Sequence, residues 1–382
     1  MPINFSISSH DFRNNYQERK PFLMPGALPV DAVTWRDVNG IVERANVASD
    51  DFKISYDGIR PKGEYIESWW DIGTLRHRLI RSVVYDYMQK GATLISNKIY
   101  GEEKVSQISN EISNFTARQV VSSVYVAFGD RSSFKCHWDT RDVFAVQIIG
   151  RKRWLIYKPS FEFPLYTQQS KDYGHLYPCP DSPYMDVILE PGDILYLPRG
   201  WWHDPLPLGE PTVHIALGTF PAYTMDYLCW SVNQMQNNLH SRRSLSEWKE
   251  DYISLTSVVK QMNEFICDRD NYERFLNEFT AGRRVESPLS LEVFGNPSAG
   301  PLPDIATFFL NSNKAHGLDK NYIIANGTKL SMDDSGAELI RFITDHPRAT
   351  LAEIIEHSGT PEAQIRELIT QLCRNDILGM IF

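Results

Sequence analysis

The hydrophobic period of this chain changes at Gln119. Up to Phe220, VVSSVYVAF, DVFAVQIIG, KRWLIYKP, DVILEPGDILYLP and TVHIALGTF form five strand-like runs separated by turn residues. Closely spaced antiparallel strands with an apolar interior close into a barrel or jelly roll. The aromatic content, 19 Phe, 18 Tyr and nine Trp, suits a β-rich core around an internal pocket.

The flanks read differently. The first 20 residues are polar and predict an arm. KPFLMPGALP predicts a short strand, Asp31 to Val47 a helix and FKISYDG a strand ending at a turn. Leu75, Leu79, Val83, Val84 and Met88 form one helical stripe, so Ile72 to Lys90 predicts a helix. ATLISNKIY follows as a strand, and Lys104 to Arg118 as a polar helix. After Phe220 the pattern is helical again, with a Pro/Gly/Ser-rich linker from Ser287 to Pro303. The last segment predicts two or three short helices and a strand-like tail, a winged-helix pattern with Pro347 and Pro361 near helix starts. At 382 residues the chain exceeds the roughly 250–300 residues of a single core. The expectation is an α+β chain in three parts: 1–220 around the jelly roll, 221–300 helical, and 301–382 winged-helix-like.

The informative tetrapeptide is Cys136-His137-Trp138-Asp139. Residues two apart on a strand face the same side, so His137 and Asp139 can point together into a barrel. PRGWWHD supplies a third candidate, His203, beyond a turn at a strand end, where ligands are readily presented. His214 in TVHIALG competes for that place, and otherwise reads as a pocket-wall histidine. Two imidazoles and a carboxylate on one face of an octahedral ion leave three positions open, which suits a non-haem Fe(II) oxygenase. The seven other histidines, including His316, sit in polar or helical settings and read as surface groups.

A keto acid such as 2-oxoglutarate would take two open positions and leave one for O2. Its far carboxylate needs a cation inside the barrel. In GRKRWLIY, Lys152, Trp154 and Ile156 share one face, and Trp154 and Ile156 belong inside. Lys152 therefore points inward, where a lone ammonium is costly unless it meets an anion. The bland alternative is a surface lysine in a basic hairpin.

Charge bounds the partners. With 39 basic and 48 acidic residues the net charge is −9, so nucleic acid is disfavoured and a basic protein or peptide suits the chain better. The segment from Asp333 to Phe382 has nine acidic residues against four arginines and no lysine, which disfavours phosphate contact by a winged helix. Five scattered cysteines argue against a disulfide framework or a Cys-ligated zinc. The sequence shows no apolar signal core and no membrane-length apolar run, so a cytoplasmic protein is expected.

At CHWDTRDVFAVQIIGRKRWLIY and LEPGDILYLPRGWWHD the chain resembles the JmjC oxygenases, most closely the cupin-like ribosomal oxygenase group, over roughly Val120 to Phe220. That resemblance implies a double-stranded β-helix, Fe(II) on His137, Asp139 and His203, 2-oxoglutarate on Lys152, and hydroxylation. It also implies a cosubstrate contact from the strand before the HxD motif, Ser123 or Tyr125; the inward-facing Trp154 and the pocket-wall His214, read from the residues themselves, are the further cosubstrate-contact candidates. The wider layout implies dimerisation through the helical segment. Two departures fall where a substrate would approach: GDRSSFKC replaces the usual Gly/Pro-rich loop, and the distal motif carries Trp201-Trp202. The expected reaction is hydroxylation of a protein or peptide side chain, and N-demethylation is the same chemistry on an N-methyl carbon. An oxygenase for a small molecule or modified nucleoside, and a non-catalytic cupin-like binding protein, are the alternative readings.

Overall fold

The computed structural model describes residues 3–130, 135–281, 287–312, 315–347 and 349–381, and the chain divides into two units, residues 1–220 and 221–382. In the first unit the strands are β1 (Phe22–Met24), β2 (Phe52–Ser55), β3 (Ile66–Asp71), β4 (Thr74–Leu79), β5 (Thr93–Asn97), β6 (Gln119–Ala127), β7 (His137–Trp138), β8 (Val143–Ile149), β9 (Lys152–Tyr157), β10 (Met185–Leu189), β11 (Ile194–Leu197), β12 (Trp202–Pro207) and β13 (Thr212–Phe220). Seven form one antiparallel sheet in the order β1-β11-β8-β13-β6-β5-β2, and four form a second in the order β10-β9-β12-β7. Side chains from both sheets line one internal cavity.

Alternation explains the small sheet. Along β9, Lys152, Trp154 and Ile156 are buried while Arg153, Leu155 and Tyr157 are half-covered. DVILEPGDILYLP, read as one run, is two strands in different sheets. The chain turns at Gly192, in the left-handed region (φ 97°), where a Cβ would stand 2.4 Å from the Leu28 carbonyl oxygen. The strand β12 was not among the expected runs because Pro205 and Pro207 interrupt it. They are tolerated because β7 pairs only with Trp202 and His203, leaving that edge open beyond them.

Two flanking expectations are corrected. Ile72 to Lys90 is not one helix: β3 and β4 form a hairpin joined by Ile72 and Gly73, both at positive φ (44° and 74°), as a two-residue type I′ turn requires. The helix covers only Arg81–Gln89 and buries Val84 and Met88. The N-terminus is not an arm. Ser9–Asn15 is a helix whose Phe12 is fully buried against Phe115, Phe144 and Tyr196. Helix Glu103–Thr116 contributes Val105, Ile108, Ile112 and Phe115 to the same core.

In the second unit helices Thr224–Gln234, Trp248–Ile266 and Arg269–Ala281 come first, and a short helix, Leu291–Phe294, lies within the expected linker. Strand β14 (Thr307–Leu310) pairs with β17 (Leu378–Ile381), and β15 (Tyr322–Ala325) with β16 (Thr328–Ser331). Helices Asp334–Asp345, Leu351–His357 and Glu362–Arg374 pack Leu339, Ile343, Ile354, Ile365 and Ile369 into a separate core. Thr350 and Glu353 cap the middle helix reciprocally. His316 is not a surface group: it is buried and its Nδ1 lies 3.0 Å from Asn277 Oδ1. No helix among the described residues is long and apolar enough to cross a membrane.

Candidate active site

His137 is the first residue of β7 and Asp139 follows that strand, while His203 stands on β12 opposite His137 in register. The two-residue alternation thus brings His137 and Asp139 to one side, and the antiparallel partner brings His203 to meet them. One ligand atom from each of the three lies within 4.8 Å of the others, close enough to converge on a single ion. His203 Nε2 is 3.6 Å from Asp139 Oδ2.

The imidazoles are oriented for such a role. Nδ1 of His203 lies 3.1 Å from the Trp201 carbonyl and Nδ1 of His137 lies 2.9 Å from the Lys135 carbonyl. A carbonyl only accepts, so each Nδ1 carries the proton and each Nε2 presents a lone pair. Burial first, then the neighbouring His137, push His203 well below the usual imidazole range, which keeps it in the neutral, ligating form. The three residues therefore fit a divalent ion with two nitrogen donors and one oxygen donor.

His214 does not join this cluster. It stands on β13, with its Nδ1 3.1 Å from Lys152 Nζ. Its ring stacks on Tyr125 (centroids 4.8 Å, interplanar angle 6°) and meets Trp154 edge-on at 5.5 Å. Burial and then the Lys152 charge hold His214 well below the usual histidine range, so its neutral Nδ1 accepts from the ammonium. Lys152 itself is 3% exposed and has no carboxylate partner among the described residues. Burial alone lowers it to about 7. The Tyr125 hydroxyl is raised by burial, with Asp139 adding to the shift, and stays protonated.

All these groups line one cavity, together with Thr93 and the apolar Val143, Leu197 and Ala216. Trp154 lines it too, and its buried indole N–H meets no acceptor among the described residues. A buried cation and a buried unsatisfied donor in one chamber ask for an anion with acceptor oxygens. Ser123, two residues before Tyr125 on the same strand face, is half-buried and not part of the lining.

Two expectations at the rim change. Trp201 and Trp202 are both buried rather than presented to a substrate: Trp202 meets Trp138 edge-on at 4.6 Å and its indole N–H donates to Ser160 Oγ at 2.8 Å. Within GDRSSFKC, residues 131–134 lie outside the described residues. The cysteines are less scattered than their spacing implies. Cys136 and Cys179, both free thiols, have their sulfurs 3.1 Å apart, a proximity that no sequence spacing signals.

The JmjC domain family matches residues 95–227, which span β6 to β13. Over 145 residues the chain is 30% identical to the bifunctional lysine-specific demethylase and histidyl-hydroxylase NO66 of Drosophila persimilis, covering 37% of this chain and 20% of that protein. Over 181 residues it is 30% identical to ribosomal oxygenase 2 of Rattus norvegicus, covering 46% of this chain and 36% of that protein. The chain thus spans about a fifth to a third of the length of these curated relatives. Among solved structures, ribosomal oxygenase YcfD from Escherichia coli in complex with cobalt and 2-oxoglutarate superposes with a TM-score of 0.62 at 14% identity, covering 100% of this chain and 99% of that one. That likeness establishes a cupin-like fold of mixed sheets and helices. Residues 95–227 thus match the JmjC domain, that part of the sequence is similar to ribosomal oxygenases, and the fold is similar to that of YcfD.

Proposed function

We propose that this chain is an Fe(II)- and 2-oxoglutarate-dependent oxygenase that uses O2 to hydroxylate a side chain of a protein or peptide. The observation that carries the reading is the pairing of two features in one cavity. Three convergent ligand atoms stand at one end, and a buried ammonium with no carboxylate partner among the described residues stands at the other. His137, Asp139 and His203 would hold the metal. Lys152, with Tyr125 and His214 around it, would hold the distal carboxylate of the cosubstrate, and the Trp154 N–H would supply a further donor. Ser123 is the more distant candidate. When bound, the ferrous centre supplies O2 activation coupled to cosubstrate decarboxylation. The protein's own part is to orient two imidazoles, fix the diacid, and line the chamber with apolar groups that exclude water.

A protein substrate is supported by the relatives, which include a protein named histidyl-hydroxylase and others named ribosomal oxygenases. The net charge of −9 favours a basic one. The paired sheets support a double-stranded β-helix, and the three helices with β14 and β17 support a winged helix within 301–382. Helix Trp248–Ile266 buries none of its residues and exposes Trp248, Tyr252, Leu255 and Val259 at spacings of four, three and four, which supports dimerisation through 221–300. We place the protein in the cytoplasm, consistent with its free thiols.

The test is succinate release from 2-oxoglutarate by Fe(II)-loaded protein, with basic peptides, small molecules and modified nucleosides as candidate substrates. A one-oxygen mass gain on a peptide is the expected result. Peptide-independent turnover with gain on a nucleoside or small molecule would reassign the substrate class.

A further inference from the structure

One buried carboxylate beside the site has no task in this reading. Asp142 is 1% exposed and lies three residues after Asp139, in the loop between β7 and β8. Its Oδ2 accepts from Arg118 Nη1 and from the Tyr196 hydroxyl, each at 2.7 Å. Its Oδ1 accepts from the backbone N–H of Arg199 at 2.9 Å. That last bond ties the loop to the turn between β11 and β12. A second bond runs beside it, because the Gly200 N–H donates to the Asp139 carbonyl at 3.0 Å. His203 stands three residues beyond Gly200.

The segments presenting Asp139 and His203 are thus stapled together at two adjacent points. Other ties between them are the short β7–β12 ladder and the edge-on packing of Trp138 on Trp202. Strand β7 pairs with β12 only at His137 and Trp138, and Asp139 lies past the end of that ladder. The staple is stiff for identifiable reasons. Gly200 is in the left-handed region (φ 82°), and a Cβ there would stand 2.7 Å from the Phe161 carbonyl oxygen. Glu18 faces both Arg118, at 3.4 Å, and Arg199, at 3.6 Å, so two cations and two anions close around the turn. Removing one member of such a buried set leaves the others uncompensated, and the turn loses its reference point. Metal sites depend on ligand placement to about half an ångström.

We infer that Asp142 is a positioning residue for the metal centre: it fixes the spacing between the Asp139 carboxylate and the His203 imidazole without touching metal or cosubstrate. The inference rests on the assignment of His137, Asp139 and His203 as ligands.

The experiment titrates the full apo chain with Mn(II) alone and with Co(II) alone, following affinity and the visible Co(II) absorption. Asp142→Asn keeps the size of the side chain and an acceptor for Arg199, and removes the charge facing Arg118. It is expected to weaken Mn(II) binding about 10- to 100-fold and to alter the Co(II) spectrum even at saturating metal, with the far-UV circular dichroism of the wild type. Tyr196→Phe removes one donor and keeps the carboxylate, and a loss of roughly threefold to tenfold in the same direction is expected. If both variants fold, melt at lower temperature, bind Mn(II) within about twofold of wild type and keep its Co(II) spectrum, Asp142 serves stability only and the inference is overturned. If Asp142→Asn does not fold, Tyr196→Phe decides by the same criteria. If the wild-type chain binds neither ion, the ligand assignment fails and this inference falls with it, an outcome separable from the previous ones.

Discussion

The two ends of the cavity are built on different principles. At the inner end Lys152 and His214 are buried on long, fully paired strands, with Tyr125 in the lining beside them, and their positions follow from sheet register alone. At the outer end His137 sits on a two-residue strand, Asp139 lies beyond it with its side chain 43% exposed, and only His203 is deeply buried. The inner end is a rigid receptor for charge. The outer end is more exposed at Asp139 and is held by turns and hydrogen bonds. Precision at one end comes from ladders, and at the other from side chains that brace loops.

The sharpest way to break this comparison is His137→Ala. Removing one donor from the open end should abolish Mn(II) binding by titration and reduce succinate release by more than about 100-fold. Unchanged turnover would refute the ligand assignment. Next in size is Lys152→Met, which should weaken 2-oxoglutarate binding by about 10- to 100-fold, the worth of a hydrogen bond to a charged group, while Mn(II) affinity stays within about twofold. If metal and cosubstrate affinity fall together, the two ends are not independent.

A pH series sharpens the inner end. Lys152 titrates near 7 in the folded chain against an ordinary value of 10.5. Between these values the unfolded chain binds more protons than the folded one, so the apoprotein should gain stability as pH rises from about 7 to about 10. Lys152→Met should lack that gain in chemical denaturation. Over the same range cosubstrate affinity should weaken, by up to about tenfold per pH unit, as the ammonium is lost. The smallest expected effect belongs to Trp154→Phe. Since its N–H meets no acceptor among the described residues, the apoprotein should not be destabilised by losing the bond donor, and 2-oxoglutarate should bind about two- to fivefold more weakly.

Sequence reading reached the parts of the molecule governed by period two. The inward face of Lys152 was legible because Trp154 and Ile156 had to be inside, and the shared side of His137 and Asp139 because they are two apart. Where tertiary context overrides local pattern, it did not reach. Leu75 and Leu79 fit a helical stripe, yet Ile72-Gly73 turns the chain into a hairpin that leaves Leu75 45% exposed. Phe12 lies in the stretch expected to be a polar arm, and the aromatic cluster around it explains its burial. His316, the Cys136–Cys179 approach and the Asp142 staple depend on contacts between distant segments, which no spacing encodes.

The Lys152 ammonium, bonded to neutral His214 but without a carboxylate partner among the described residues, has a thermodynamic consequence for ligand uptake. An arriving dicarboxylate restores the charge that burial suppresses, so near neutral pH the complex must draw a fraction of a proton from the surroundings as it forms. Calorimetric heats for 2-oxoglutarate should therefore vary with the ionisation enthalpy of the buffer.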